Sequence, residues 1–442
     1  MTNSADAQLV RPRAPHLWHA ALAGQIAMLL GIGLSRFGYS PLIPPLIEAG
    51  WFTPAEAAYL GAANLGGYLL GAAGTRWLAR RASAAVLIRT ALLLCTASFI
   101  ACAFPLGFGW YCAWRLASGV TGAVLMVLAP PAILAFTPRH RRGRVGGIIF
   151  TGVGLGITLS GTLVPWLVHF GLRETWLGFG AASAVLTAVA WRGFPAPPAP
   201  GASLSPSPAA SAAPPPPGPR AVPLAVPLAA SVAGPRTPEG APVPGAERAV
   251  PTPAILLLIL AYGCVGAGFV PHTVFWVDYI ARGLGSGLGA GGGYWVLFGV
   301  GAACGPLVTG LLAERIGFAR SLRYSLLAKG AAIAVPLFSA QPWALALSSA
   351  GVGALAVGVT SLASGRVSEM VAAEHQRLIW GWMTIAYAIG YAGTAYLLSY
   401  VFARTSLYAP LFAAGAAILL LAAVLEFAGA RREKHAPGEA EA

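Results

Sequence analysis

Long apolar runs separated by short polar stretches occupy most of this 442-residue chain. Each run is long enough for a helix of about 20 apolar residues, the length that spans the hydrocarbon core of a bilayer. Their spacing predicts twelve helices in two sets of six. The first set covers roughly residues 17–46, 54–78, 83–104, 109–136, 144–170 and 174–192. The second set covers roughly residues 253–280, 292–313, 320–339, 342–367, 376–402 and 406–430.

A stretch without apolar runs separates the two sets of helices. Residues 193–252 are rich in Pro, Ala, Gly and Ser and contain half of the chain's 36 prolines. Such a composition neither buries a core nor sustains a helix, so we predict a disordered linker. The predicted organisation is therefore an N-terminal tail at 1–16, six-helix bundles at 17–192 and 253–430, the linker between them, and a C-terminal tail at 431–442.

The composition favours lipid as the main solvent of this chain. It is 57% hydrophobic and 10% charged, with a mean hydropathy of +0.71, whereas about a quarter of the residues of a soluble domain are charged. We therefore predict an all-α integral membrane protein. The apolar stretch from Leu17 to Leu46 is too long for the core of a signal peptide, so we expect it to remain as the first span. The five cysteines have no paired spacing and are interpreted as helix-packing residues.

Basic residues accumulate at one end of the predicted helices. With the N-terminus in the cytoplasm, the basic groups at 76–81 and 139–144 lie on the cytoplasmic side together with those of the linker and tails, as the positive-inside rule requires. The sequence thus predicts a multi-pass protein of a bacterial inner membrane with both termini cytoplasmic. The net charge of +14 then belongs to the cytoplasmic membrane surface, and no nucleic-acid partner is expected.

The two halves carry similar short sequences at matching positions. Gly-Tyr-Ser-Pro at 38–41 corresponds to Gly-Phe-Val-Pro at 268–271, and Leu-Ala-Arg-Arg at 78–81 corresponds to Leu-Ala-Glu-Arg at 312–315. The two offsets are nearly equal, which indicates a repeat of six helices. Transporters built from such repeats bind their solute near the midplane of the membrane, where the halves meet.

Two segments resemble motifs of the major facilitator superfamily (MFS) of transporters. Arg115-x-x-x-Gly119-x-x-Gly122 is similar to the motif of its fourth helix, and residues 310–320 are similar to its loop between helices 8 and 9. The equivalent loop between helices 2 and 3 departs from the pattern, because Arg80 stands where the family has an acid.

A narrower resemblance covers the first helix of each half. Residues 31–44 look like the first-helix signature of YbfB/YjiJ-type MFS transporters, and residues 262–269 resemble the seventh helix of that family. The resemblance implies two pseudo-symmetric six-helix bundles, with helices 1, 4, 7 and 10 lining the solute path. It does not imply a particular substrate.

Charged residues inside the predicted spans are functional candidates, since a charge at the bilayer centre costs about 3 kcal/mol on insertion scales. Arg36 and Arg115 lie at similar predicted depths, and a guanidinium group can bind a carboxylate or phosphate in a bidentate manner. The alternatives are a structural tie to backbone carbonyls for Arg36 and helix packing for Arg115. His272, at the depth of Arg36, is either a proton relay or a packing residue. The predicted substrate-binding residues are Arg36, Tyr39, Arg115, Tyr262, His272, Trp276, Trp382 and Tyr387.

Four other charged residues receive simpler interpretations. Asp278 and Arg282 lie four positions apart at the outer end of helix 7 and are interpreted as a local surface pair. Lys329 is expected to extend from the peripheral ninth helix towards the membrane surface. Glu426 is interpreted in the same way at the inner end of helix 12.

The loop motif between helices 8 and 9 predicts a gate. Glu314 would accept hydrogen bonds from a neighbouring helix N-terminus and pair with Arg366 at the inner end of helix 10, beside Arg315. Such a contact would hold the halves together on the cytoplasmic side and break as they rock. The alternative is a loop whose basic residues only set the topology.

These features predict a secondary transporter that moves a small solute by alternating access. No carboxylate lies deep inside helices 1, 4, 7 or 10, so the net positive path favours an organic anion. Coupling is through a proton on His272, through the charge of the substrate, or missing. The alternatives are multidrug-type efflux of cationic or neutral compounds and a transport-incompetent sensor or scaffold.

No enzyme activity, cofactor or metal is expected. The seven histidines are scattered and none lies near an Asp in sequence, and no Gly-Lys-Ser/Thr nucleotide-binding run is present. The expected partners are a small-molecule substrate, membrane lipid and a possible coupling proton, with the chain acting as a monomer.

Overall fold

The computed structural model describes residues 17–138, 141–194, 252–371 and 375–434. In this part of the chain there are helices and no β-strand. The twelve long helical segments are α1 (Leu17–Glu48), α2 (Pro54–Arg81), α3 (Ala84–Ala101), α4 (Phe108–Leu134), α5 (Arg142–Leu167), α6 (Leu172–Ala190), α7 (Pro253–Gly283), α8 (Gly287–Ile316), α9 (Phe318–Phe338), α10 (Pro342–Met370), α11 (Gln376–Thr405) and α12 (Ala409–Lys434). The predicted linker, apart from its first and last residues, and the predicted N-terminal tail lie outside the described residues.

Nine of the described segments are long and apolar enough to cross a membrane. The remaining three, α2, α6 and α9, pack in the same two bundles. The chain is therefore an all-α, multi-pass membrane protein, as the sequence predicts, while the full number of twelve spans stays a prediction.

Two boundaries differ slightly from those predicted. The chain still packs on α1 at Gly193, where an added Cβ would lie 2.3 Å from the Cβ of Ala23. At the other end of the chain, α12 continues to Lys434, past the predicted boundary at residue 430.

Local sequence signals set several helix ends. Before α2, the hydroxyl of Thr53 accepts a hydrogen bond from the Glu56 N–H at 3.2 Å, and the Glu56 carboxylate accepts one from the Thr53 N–H at 2.9 Å. Thr252 caps α7 by accepting from the N–H of Ile255. The turn between α8 and α9 is at Gly317, whose φ of +82° suits a residue without a Cβ.

The first helix of each half is interrupted. In α1, the π-helical segment Leu29–Leu34 is followed by a turn at Ser35 and Arg36 and by the 3-10 segment Phe37–Leu42. In α7, a π-helical segment covers Pro271–Phe275. Each irregular region contains or adjoins the repeated Gly-x-x-Pro sequence, whose proline removes a backbone donor. Such irregular turns change the direction of side chains and are frequent at functional sites.

The two halves contact each other closely along α5 and α8. An added Cβ at Gly161 would lie 2.8 Å from the carbonyl oxygen of Gly292, and one at Gly154 would lie 3.0 Å from that of Gly299. Small residues at these crossings let the helix backbones approach directly. α2 packs on α11 at a second contact between the halves, and the space left between these contacts contains the candidate site.

Candidate functional site

A cavity of about 110 Å³ lies between the halves. α1, α2, α4 and α5 line it from the first half, and α7, α8, α10 and α11 line it from the second. Its wall is rich in aromatic rings, namely Phe37, Tyr68, Phe150, Tyr262, Phe269, Phe298 and Tyr387. Among the described lining residues, Arg36 alone carries a charge. The cavity therefore offers an apolar chamber with one cationic corner.

Arg36 reaches this corner from the interruption of α1. Its Cζ lies 4.1 Å from the ring centroid of Tyr391 and 5.1 Å from that of Tyr68, so the cation rests on two aromatic faces. Its Nε is buried and has no hydrogen-bond partner in the described structure. None of the ion pairs between described residues includes Arg36. The guanidinium group thus keeps an unused donor.

Arg115 approaches the same place from α4 and is only 3% exposed. Its Nη1 donates to the carbonyl oxygen of Ser35 at 2.7 Å, an oxygen at the turn that interrupts α1. Its Cζ lies 4.1 Å from the ring centroid of Tyr39. As with Arg36, the Nε is buried and lacks a partner among the described residues.

A second, smaller space of about 10 Å³ is lined by both arginines. That volume corresponds to about one water molecule. Its other polar lining residues are Tyr39, Ser40, Asn64, Thr273 and Tyr391, and no acidic residue is among its described lining residues. The structure therefore brings the two predicted arginines together around a small polar chamber next to the aromatic cavity. The oxygen of an anionic group is the chemistry that two such donors suit.

The halves are sealed beyond this small chamber, at the end where α1 and α7 finish. The Ser40 hydroxyl donates to the carbonyl oxygen of Thr273, and the indole N–H of Trp295 donates to the Ser160 hydroxyl at 3.2 Å. Phe37 packs against Trp295, with ring centroids 6.2 Å apart. The cavity itself extends the other way, towards the helix ends that carry the basic groups.

The other predicted binding residues divide into two sets. Tyr262 and Tyr387 line the aromatic cavity with their ring centroids 5.3 Å apart, and Tyr39 lines the small chamber. Trp382 is 38% exposed on α11 and lines neither space.

His272 and Trp276 lie inside the second half, away from both spaces. The Nε2 of His272 lies 2.8 Å from the Ser348 hydroxyl, and its ring stacks on Trp276 at 4.2 Å. The Trp276 indole N–H donates to the Ser349 hydroxyl at 2.7 Å. A direct substrate contact by either residue stays a prediction that this arrangement does not support.

The ion pair predicted between Glu314 and Arg366 is absent from the described structure. Arg366 instead pairs with Glu426 at 3.2 Å, with Glu369 at 3.3 Å and with Glu433. All of these residues belong to the second half, so the network ties α10 to α12 and does not join the two halves. The expectation fails because α12 presents a buried carboxylate to Arg366, whereas Glu314 is exposed.

Sequence reasoning missed the burial of two further charges. Asp278 is 1% exposed, accepts from Arg282 Nε at 2.5 Å and accepts from the Tyr408 hydroxyl at 2.6 Å, so it is no surface pair. Burial and the adjacent Asp278 carboxylate raise the pKa of Tyr408. Lys329 is also 1% exposed, and its Nζ lies 4.1 Å from the ring centroid of Phe269. The only sequence signal for Lys329 was a lysine in the middle of an apolar stretch.

Comparisons with known proteins agree with these features. The family model described as "Uncharacterised MFS-type transporter YbfB" matches residues 28–217 and 218–427, which confirms the resemblance seen in the sequence. The niacin transporter NiaP of Acinetobacter baylyi is 29% identical over 163 residues, an alignment that covers 36% of this chain and 36% of that protein.

Proposed function

Since the chain belongs to the YbfB-type family of MFS transporters, we propose that the small solute it moves is an organic anion with an aromatic ring. This membership makes the chain a membrane transporter and not an enzyme. The proposal adds a substrate class, a binding site and a mechanism to the general function of a membrane transporter.

The observation that carries the proposal is the pair of neighbouring guanidinium groups whose buried Nε atoms have no hydrogen-bond partner among the described residues. A carboxylate oxygen in the small chamber would accept from Arg36 and Arg115, whose Nε atoms have no other partner. The ring of the substrate would lie in the adjacent aromatic cavity. Niacin, which the relative is named for transporting, is an aromatic carboxylate, so nicotinate is the natural first probe.

A cationic substrate fits this site poorly. The described lining residues of both spaces include two arginines and no acid, so a cation would enter without a counter-charge. An unpaired charge in a low-dielectric site is disfavoured strongly. Multidrug-type efflux of cations is therefore the weaker candidate.

Alternating access is supported by the asymmetry of the site. The halves are sealed beyond Ser40 and Thr273, and the cavity extends towards the basic helix ends. Under the positive-inside rule those ends face the cytoplasm of a bacterial cell, so this form is inward-facing with both termini cytoplasmic. Rocking of the halves about Arg36 and Arg115 would open the opposite end.

The test is a thermal-stability screen of the purified protein in detergent. Nicotinate and benzoate are compared with nicotinamide, cyclohexanecarboxylate and tetraphenylphosphonium, followed by uptake of labelled nicotinate into proteoliposomes. A ligand at 100 times its Kd stabilises the folded protein by about 2.7 kcal/mol. We expect the aromatic carboxylates to raise the melting temperature more than the neutral amide does. Stabilisation by tetraphenylphosphonium alone would contradict the proposal.

A further inference from the structure

A lysine without a counter-charge lies inside the second half. Lys329 is on α9, and its side chain points between the helices, with Nζ over the face of Phe269 on α7. No ion pair of the described residues includes it. A cation in such a place is expensive and is rarely kept for stability alone, because an apolar residue of similar size fits as well.

The titratable groups on the neighbouring helices do not neutralise this lysine. From α7 it faces His272, which hydrogen-bonds to Ser348 through Nε2 and has a buried, unpartnered Nδ1. From α12 the buried acid is Glu426, which is already paired with Arg366 on α10. From α11, next to Phe269, the Tyr391 hydroxyl donates to Thr273. The two buried acids among the described residues, Asp278 and Glu426, are each paired with an arginine and are not available to the ammonium group.

One aromatic ring separates Lys329 from the substrate cavity. Phe269 contacts the lysine and also lines the cavity, where it stacks on Phe298 with ring centroids 6.0 Å apart. On its other side it meets Phe37 at 6.5 Å, the residue that follows Arg36. An anion held by Arg36 would therefore be separated from Lys329 by packed aromatic rings, including that of Phe269.

We propose that Lys329 binds the proton that this transporter moves together with its substrate anion. The inference rests on the proposed function, because the anion at Arg36 supplies the missing counter-charge. The neutral amine takes up one proton as the anion binds, and the ammonium returns that proton to the side on which the anion leaves. One anion and one proton then move per cycle, and their charges cancel.

Electrostatics makes this coupling large enough to be useful. Two opposite unit charges about 8–10 Å apart at an effective dielectric constant of 20 strengthen each other's binding by about twentyfold. By linkage, the anion strengthens proton binding by the same factor as the proton strengthens anion binding.

The pocket of Lys329 also adjoins the contact between the halves that must open during transport. His272, which faces the lysine, lies next to Thr273, and the carbonyl oxygen of Thr273 accepts a hydrogen bond from Ser40 in the seal.

The experiment uses two replacements of Lys329 and a matched control on the same helix. Lys329→Met removes the charge, and Lys329→Arg keeps a charge that cannot be released in proteins. The control is Arg323→Met, since Arg323 also lies over an aromatic ring, that of Phe427, at 5.1 Å. Proteoliposomes receive labelled nicotinate either as counterflow, without a pH gradient, or with the interior one pH unit more alkaline. Protein-free liposomes correct for leakage.

A one-to-one coupling gives about a tenfold accumulation per pH unit. We expect that ratio for the wild type and for Arg323→Met, and a ratio near one for both Lys329 variants, with their counterflow kept within about threefold. If either Lys329 variant accumulates nicotinate under the pH gradient, or if the wild type does not, the proposed role of Lys329 is overturned. The proposed function is not affected by either result. Loss of counterflow in both variants at unchanged melting temperature also overturns the proposed role of Lys329, because Lys329 would then serve binding or translocation itself. Absence of wild-type counterflow overturns the proposed function as well.

Discussion

Replacement of Arg36 by Met removes the positive charge at the junction of the two chambers while keeping an unbranched side chain. A carboxylate at about 4 Å from a guanidinium gains about 4 kcal/mol at an effective dielectric constant of 20. Desolvation of the carboxylate offsets part of that gain, and Arg115 remains in place. We therefore expect a loss of about 2–3 kcal/mol in nicotinate binding, or about 30- to 150-fold in Kd.

The assay is equilibrium binding of labelled nicotinate to the purified protein, with nicotinamide as a neutral competitor. Arg81→Met is the matched control, since Arg81 also lies over an aromatic ring, at 3.8 Å from that of Trp77, but is exposed. The melting temperature of the Arg36 variant should stay equal or rise, because a half-buried cation without an ion pair is replaced by an apolar side chain.

Two results would refute this reasoning. Nicotinate affinity within twofold of the wild type would show that the charge of Arg36 does not face the ligand. Equal losses for nicotinate and nicotinamide would indicate that the cavity had collapsed, because only the first carries the negative charge on which the estimate depends.

Three other predictions concern the contacts that hold the halves and the second bundle. Gly154→Val places a side chain against the backbone of α8 and should lower transport at least tenfold. Gly147→Val on the same helix should not, because no other atom lies within 4 Å of a Cβ added there. Uptake into proteoliposomes measures the difference between the two variants. Ser40→Ala removes one hydrogen bond of the seal, worth about 1 kcal/mol, and should raise labelling of a cysteine beyond the seal about fivefold; unchanged labelling would show that the bond does not hold the seal. Arg366→Met leaves Glu426 buried without its cation and should destabilise the protein by about 3 kcal/mol, seen as a lower melting temperature that Glu426→Gln partly restores.

Arg36 and Arg115 can be identified from the sequence because a charged side chain within a membrane span has a free-energy cost. A guanidinium group inside a span is costly unless it faces a partner or a wet path, and Arg36 and Arg115 stand in otherwise apolar runs. The residues that surround them were harder to identify. Tyr391 contacts Arg36 directly, yet nothing in its sequence context distinguishes it from the other tyrosines. Trp382 on the same helix is a predicted binding residue, although it is exposed.

The predicted ion pair between Glu314 and Arg366 shows what a sequence motif does not determine. The loop after α8 suggested Glu314 as the partner of Arg366, but an ion pair forms with whichever carboxylate the packed helices bring nearest. α12 brings Glu426 and Glu433 to Arg366, and both come from a helix distant in sequence. Only the packing of α12 against its neighbours decides this choice.

By itself, the sequence determined that this protein lies in lipid, that it has two repeated halves, which family it belongs to and that cations lie within its spans. These properties depend on the lengths of the apolar runs and on local motifs. Only the tertiary structure decided which side chains face inward. A membrane helix is apolar on the side that meets lipid and on the side that meets protein, so its hydrophobic pattern has little periodicity from which a face can be assigned. The burial of Lys329 and the meeting of Arg36 with Arg115 around one small chamber follow from that packing.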